Sequence, residues 1–486
     1  MRTSVGHGIL MLSTSMAFAA GVASACGSSD SPSDGSADAG NDQGVITDTI
    51  PPSIVSRTPA DGEGEVSVRA PIQVTFNKQV KLGSTAVSLL AGDVPVPVTT
   101  DLSLDRKTLT LTPSAPITAP TKVTVKLGDI SSVPGVLLPE TPWSWTAPRW
   151  LEVGGDTLPA AASDIAAGPG ERVSAVVGTA DGVQVRTIDR NNGTWTQLGQ
   201  PVATALSQAG FWTPRLVIGE GGLPAVGFVD PNEFIRVRQW DGTAWNDLGD
   251  PIGKRDSIID FWMAADPSGK IFVAYNPDTT GSLDVAVRTF DKGAWSHVGG
   301  DVFGDPSEAA RVRSLAIDKS GVPYVAYTTN ADDSRVRSQS AGGWKFVGSR
   351  LNSDGSSPWS MNLAFDDGGN VFALGTFGKS IRALAYDGQN WPMVGAELPP
   401  SGADQAAPLC LMRMKEGHLF ALARWTEETL AFDVTKGGWS PIELPVLAAG
   451  RSYAVCTLDP GGAPVIGWQT GDGTQGTQMN VLRLNR

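Results

Sequence analysis

A chain of 486 residues with 57 Gly, 34 Pro and only 18% charged residues suits many short strands and tight turns, not long helices. Its net charge of −13, without any cluster of Lys and Arg, argues against a nucleic-acid partner, because neutralising phosphates needs one. Only His7, His297 and His418 occur, none with a second His or Cys at ligand spacing, so neither a metal nor another cofactor is expected.

Residues 1–25 read as a signal peptide, with Arg2 near the amino terminus and a mainly apolar run from Ile9 to Val22. The run is too short to be a stable membrane span. It ends in Ala23-Ser24-Ala25-Cys26, which fits two processing routes. Ordinary signal peptidase would leave Cys26 as a plain first residue. The tetrapeptide also resembles the bacterial lipobox, departing from it at Ala23 where Leu is usual, and that resemblance implies a diacylated Cys26. Residues 26–50 favour the lipid. Behind the Cys they are rich in Ser, Gly and Asp with no Lys, Arg or aromatic residue, so they cannot bury enough apolar area to order themselves and should form a tether. Each buried methylene of an acyl chain contributes about 0.8 kcal/mol to such an anchor. By resemblance to Gram-negative lipoproteins, Gly27 behind the Cys implies the outer membrane or cell surface, with the membrane a partner through the anchor.

Residues 51–148 form a second block. Ile72–Phe76, Thr108–Thr112 and Lys122–Leu127 alternate with period two and are rich in β-branched residues, as half-buried strands are. Several such strands within about 100 residues predict a sandwich. Pro51-Pro52-Ser53-Ile54-Val55, Ser56-Arg57-Thr58-Pro59-Ala60-Asp61-Gly62 and the closing Trp143-Ser144-Trp145-Thr146 make the block resemble the bacterial Ig-like domain of surface and S-layer proteins. That resemblance implies a spacer or presentation module.

Residues 149–486 repeat one phrase: Trp, two variable residues, an aliphatic residue, Gly. It begins at Trp150, Trp195, Trp245, Trp295, Trp344 and Trp391, with a weaker copy at Trp439, at spacings of 45, 50, 50, 49, 47 and 48 residues. Each period also holds an Asp-headed Gly turn such as Asp266-Pro-Ser-Gly269, an apolar strand such as Ile271–Tyr275, an alternating strand, and a hairpin such as Asp241-Gly242. Four strands per period of this length predict propeller blades. Residues 479–486 match a third strand and the missing fourth lies at 150–154, so these segments should pair and give seven blades with one-plus-three closure. The fold class expected is therefore all-β, an Ig-like sandwich followed by a seven-bladed propeller. The units resemble a repeat common in bacterial surface proteins, carried by Pro323-Tyr-Val-Ala-Tyr327 and Asp291-Lys-Gly-Ala-Trp295.

A Trp that returns in every unit is expected to pack between units and not to stack on sugars. The residues that break the repeat, just before each innermost strand, are the candidate ligand site: Trp212, Asp260, Trp262, Arg311, Arg313, Trp359, Arg451 and Tyr453. A glycan or a protein ligand fits them. Most Asp are explained by turns, no Ser-His-Asp arrangement is credible with three His, and the chain is expected not to be an enzyme. A structural or assembly role without a small ligand is the alternative, and an envelope glycan hydrolase the remotest reading. Cys410 and Cys456 align two positions out of register on neighbouring inner strands, and they are expected to stay unbonded.

Overall fold

The computed structural model describes residues 49–486 except 140, 155–156, 159–161, 180–181, 189–192, 206–212, 255–260, 278–284, 301–309, 330, 353–354, 357, 399–406, 415–417, 425–428, 445–453 and 471–477. Cys26 and the tether lie outside the described residues.

Alternation decides the first block. In Ile72–Phe76 the residues Ile72, Val74 and Phe76 are buried while Gln73 is exposed, so one face meets a core. Two four-stranded antiparallel sheets share that core. One runs Ile54–Thr58, Ile72–Phe76, Thr108–Pro113, Val98–Leu102, and the other Trp143–Ala147, Thr121–Leu127, Val87–Ala91, Val94–Val96. Val74, Leu109, Val123 and Val125 are fully buried between them, with Trp143 and Trp145 in the same cluster.

From residue 150 the described residues form seven antiparallel sheets. Their second strands, such as Pro224–Val229, Ile271–Tyr275 and Val371–Phe377, are buried at every position. A strand covered on both faces by neighbouring sheets has no wet side, which is why these read as continuous apolar runs. Third strands such as Phe234–Trp240 return to alternation. Six sheets are built from strands consecutive in sequence. The seventh takes Ala454–Leu458, Pro464–Thr470 and Gln478–Leu484 from the far end and Trp150–Glu152 from the near one, with Trp150 opposite Leu484 and Glu152 opposite Leu482. The first strands neighbour one another in order: Ala162–Gly168, Arg215–Ile218, Trp262–Ala265, Ala310–Ile317, Pro358–Phe365, Ala407–Arg413 and Ala454–Leu458, the last lying beside the first.

The recurring Trp phrase joins five of these sheets to the one before. Trp245 Nε1 donates to Leu198 O at 2.9 Å, Trp295 to Leu248 O at 2.6 Å, Trp344 to Val298 O at 2.8 Å, Trp391 to Val347 O at 2.9 Å and Trp439 to Val394 O at 2.7 Å. Each acceptor is the aliphatic residue of the preceding copy of the phrase. The Gly behind it adopts positive φ and lies under the incoming ring; a Cβ on Gly299 would stand 2.8 Å from Trp344 Nε1, and one on Gly395 2.8 Å from Trp439 Cδ1. An aromatic across the hairpin covers the ring, as in Phe290–Trp295 with centroids 5.3 Å apart.

The Asn485 side chain ties the sandwich to the end of the seventh sheet. Asn485 Nδ2 donates to Val66 O at 3.0 Å and Pro148 O at 2.8 Å, while its Oδ1 accepts from Val68 N at 2.8 Å. Asn485 is 4% exposed, so these bonds form away from bulk water.

The expectation for the two inner cysteines is corrected: Cys410 and Cys456 are joined as a disulfide across 46 residues. Met414 N donates to His418 O as Asp459 N does to Ala463 O, which makes those turn heads equivalent and leaves the two Cys one position apart, not two. Other neighbours are bonded at the same level, for Asp164 Oδ2 accepts from Leu216 N at 2.9 Å and Ser314 Oγ from Leu363 N at 3.1 Å.

Candidate functional site

The seven inner strands begin at one end of their sheets, opposite the Asp-headed turns. Those turns consume their carboxylates. Asp266 Oδ1 accepts from Ser268 N at 2.8 Å and Lys270 N at 3.0 Å, Asp318 Oδ1 from Ser320 N and Val322 N at 2.8 and 2.9 Å, and Asp459 Oδ1 from Ala463 N at 2.7 Å. The side chains free to meet a ligand are at the other end.

Several inner strands carry a bulge near that end. Val312 faces Tyr327 and Ser314 faces Ala326, so Arg313 is the extra residue. Ser163 and Leu409 stand in the same way in their strands, and Trp359 with Ser360 falls between the pairs made by Pro358 and Met361. A bulge breaks the in-out alternation and re-aims a side chain, a common device next to sites.

Of the eight site residues expected from sequence, Trp262, Arg311 and Arg313 are described in full. Trp359 is described in its backbone only, and Trp212, Asp260, Arg451 and Tyr453 lie outside the described residues. Trp262 opens the strand Trp262–Ala265, which lies beside Ala310–Ile317, the strand that carries both arginines. Its ring is half-buried, and the guanidinium of Arg215, from the preceding inner strand, sits 4.6 Å from the ring centroid. Sequence reasoning passed over Arg215, although it stands four residues before the turn head Gly219 just as Trp262 stands four before Asp266. Counting back from the turn would have found it.

Arg311 is exposed and Arg313 half-buried. Arg313 Nε donates to Thr328 Oγ1 at 3.4 Å, and that hydroxyl donates to Pro358 O at 3.3 Å, which ties the cation to the next sheet. Burial, and then the charge of Arg311, lower the pKa of Arg313 from its ordinary value. The guanidinium keeps its charge nonetheless. Among the described residues neither arginine meets a carboxylate within ion-pair distance. An aromatic face beside two uncompensated cations is an arrangement that can stack on a sugar ring and pair with an acidic substituent.

No curated protein sequence matches the chain. Similar solved structures include an ulvan lyase from a new polysaccharide lyase family, 11% identical with TM-score 0.48, covering 68% of this chain and 94% of its own. They also include the six-bladed propeller lectin of Aleuria aurantia, which recognises fucose, 14% identical with TM-score 0.41 and coverages of 58% and 95%. A third is YCF48 bound to D1 peptide, 14% identical with TM-score 0.45 and coverages of 70% and 97%. The polysaccharide lyase overturns the expectation that this chain is not an enzyme. That expectation is withdrawn, and at 11% identity no activity is carried over in its place. The fold is all-β with propeller-like neighbours, and residues 48–147 match the family of bacterial Ig-like domains.

Proposed function

We propose that the seven sheets are the blades of one closed propeller and that it binds a glycan bearing acidic groups where its inner strands begin. We also propose that the chain is exported and held at the outer membrane or cell surface by acylated Cys26, with residues 27–50 as the tether. The row Arg215, Trp262, Arg311, Arg313 carries the reading of the ligand. It supplies a ring for stacking, on which Arg215 already lies, and in Arg311 and Arg313 two cations that no carboxylate of the described residues neutralises. Trp212, Asp260, Arg451 and Tyr453, ahead of their inner strands, and Trp359, at the start of its own, are assigned to the same site by position. The cysteine pair supports export, since such bonds persist in oxidising compartments.

A glycan array probed with the full chain tests the ligand. Acidic glycans are expected to bind, with affinity at least about tenfold weaker in Arg311→Gln and Trp262→Ala, a loss of about 1.4 kcal/mol. Retention by no glycan, or equal retention by the variants, overturns the reading. Incorporation of labelled palmitate, absent in Cys26→Ser, is the expected result for the anchor.

A further inference from the structure

A second site stands where the sandwich meets the propeller, apart from the inner strands. A cleft of about 710 Å³ opens between residues 116–119 with Val68 and Arg69 on one side and Arg149, Met414, His418 and Ile442 on the other. That volume lies within the roughly 300–1,000 Å³ usual for small-molecule sites. Its lining is unbalanced in charge, with Arg69, Arg149 and Arg486 against Asp433 alone.

The one carboxylate is already engaged. Both oxygens of Asp433 lie 2.8 Å from His418 Nδ1, which must therefore carry a proton and donate it. The bond orients the ring and leaves Nε2 without a partner among the described residues. Arg69 and Arg149 are not so engaged. Neither pairs with a carboxylate among the described residues. A guanidinium without a carboxylate on the wall of a cleft is a group with which an anion can pair. The arm that carries Arg149 is held firmly, because Arg149 O accepts from Asn485 N at 2.8 Å and Trp150 next to it is buried in the seventh sheet.

We propose that this cleft binds a ligand carrying an oxyanion, with Arg149 and Arg69 pairing with the anion, His418 Nε2 contacting a neighbouring polar group, and Ile117 and Ile442 flanking its apolar part. Carboxylate, sulfate and phosphate share the required chemistry, since each presents paired oxygens to a guanidinium. The site does not depend on the glycan reading of the inner strands.

Calorimetric titration of the full chain with glucuronate, sodium sulfate and inorganic phosphate, each at constant ionic strength, separates the three sources. At least one is expected to bind, at least about tenfold more weakly to Arg149→Gln and to Arg69→Gln, while Lys345→Gln on a remote strand binds as the parent does. Arg149→Lys, which keeps the charge but loses the planar fork that pairs with two oxygens at once, is expected to lose affinity as well and serves if Arg149→Gln does not fold. The proposal is overturned if none of the three anions binds, if Lys345→Gln weakens binding as much as the cleft variants, or if the cleft variants bind like the parent.

Discussion

A carboxylate at the head of a tight turn contributes to stability only while it is ionised. Asp241 accepts from the amides of Ala244 and Thr243 and from the Thr243 hydroxyl, and these bonds, in that order, hold its pKa far below the ordinary value. Asp387 is lowered likewise by the amides of Asn390 and Gln389, and Asp105 by the Ser103 hydroxyl and the Lys107 amide. A depressed folded-state pKa means that the unfolded chain binds more protons. The contribution is therefore present above the ordinary carboxylate range of about 4 and lost as pH falls from there through the lowered folded-state value. Asp241→Asn is expected to lower the urea midpoint at neutral pH, with the difference from the parent shrinking steadily between about pH 5 and pH 2. A constant difference over that range would show that the charge is not what holds the turn. Asp241 and Asp387 were legible in the sequence as turn residues, because a Gly with positive φ follows each, whereas Arg106 holds that place behind Asp105. Arg215 was passed over, because the turn head four residues behind it is Gly219 and not Asp, which hid the level that brings it over Trp262.

One five-residue phrase serves two sheets at once. Its Trp reaches back to the preceding sheet, and its aliphatic carbonyl and Gly receive the Trp of the following one. Trp391 is 6% exposed, so truncation should open a cavity and orphan the Val347 carbonyl. Trp391→Ala is expected to cost about 3–5 kcal/mol in urea unfolding. Trp391→Phe, which keeps most of the apolar volume and loses the N–H, should cost clearly less. Similar costs for the two would mean that the hydrogen bond dominates. The period, the four-strand order and the packing role of Trp could all be read from the sequence, because each sheet repeats the same turn chemistry. The inner strands were harder. Bulges at Ser163, Arg313 and Leu409 shift their alternation, and Met414 stands where other turns have Asp, so the landmark for aligning Cys410 with Cys456 was missing.

At the scale of the molecule, two joints hold what repetition alone does not. The first is the disulfide between the inner strands of the last two sheets. Closing a loop of 46 residues removes denatured-state entropy equivalent to about 4 kcal/mol at 25 °C in the chain-entropy account. The paired variant Cys410→Ser with Cys456→Ser is expected to unfold at a lower urea midpoint under oxidising conditions and to match the reduced parent. If the reduced and oxidised parent unfold alike, the bond does not form in solution. The second joint is Asn485, whose side chain bonds both the sandwich and the segment leading into Trp150. The resemblance to bacterial Ig-like domains implied a spacer, and alternation its strands, but a docking contact between residues more than four hundred apart in sequence leaves no local pattern to read.

The pairing of Trp150 with Leu484 imposes an order on assembly. Six sheets draw their strands from neighbouring sequence and can form as local hairpins, whereas the seventh must bring together partners separated by most of the repeat region. Until it does, Trp150–Glu152 and Gln478–Leu484 expose unpaired edges on which another chain can add. Arg149, Leu484 and Asn485 meet only at that last step, so occupancy of the cleft they line would report, during refolding, the moment at which the chain has finished.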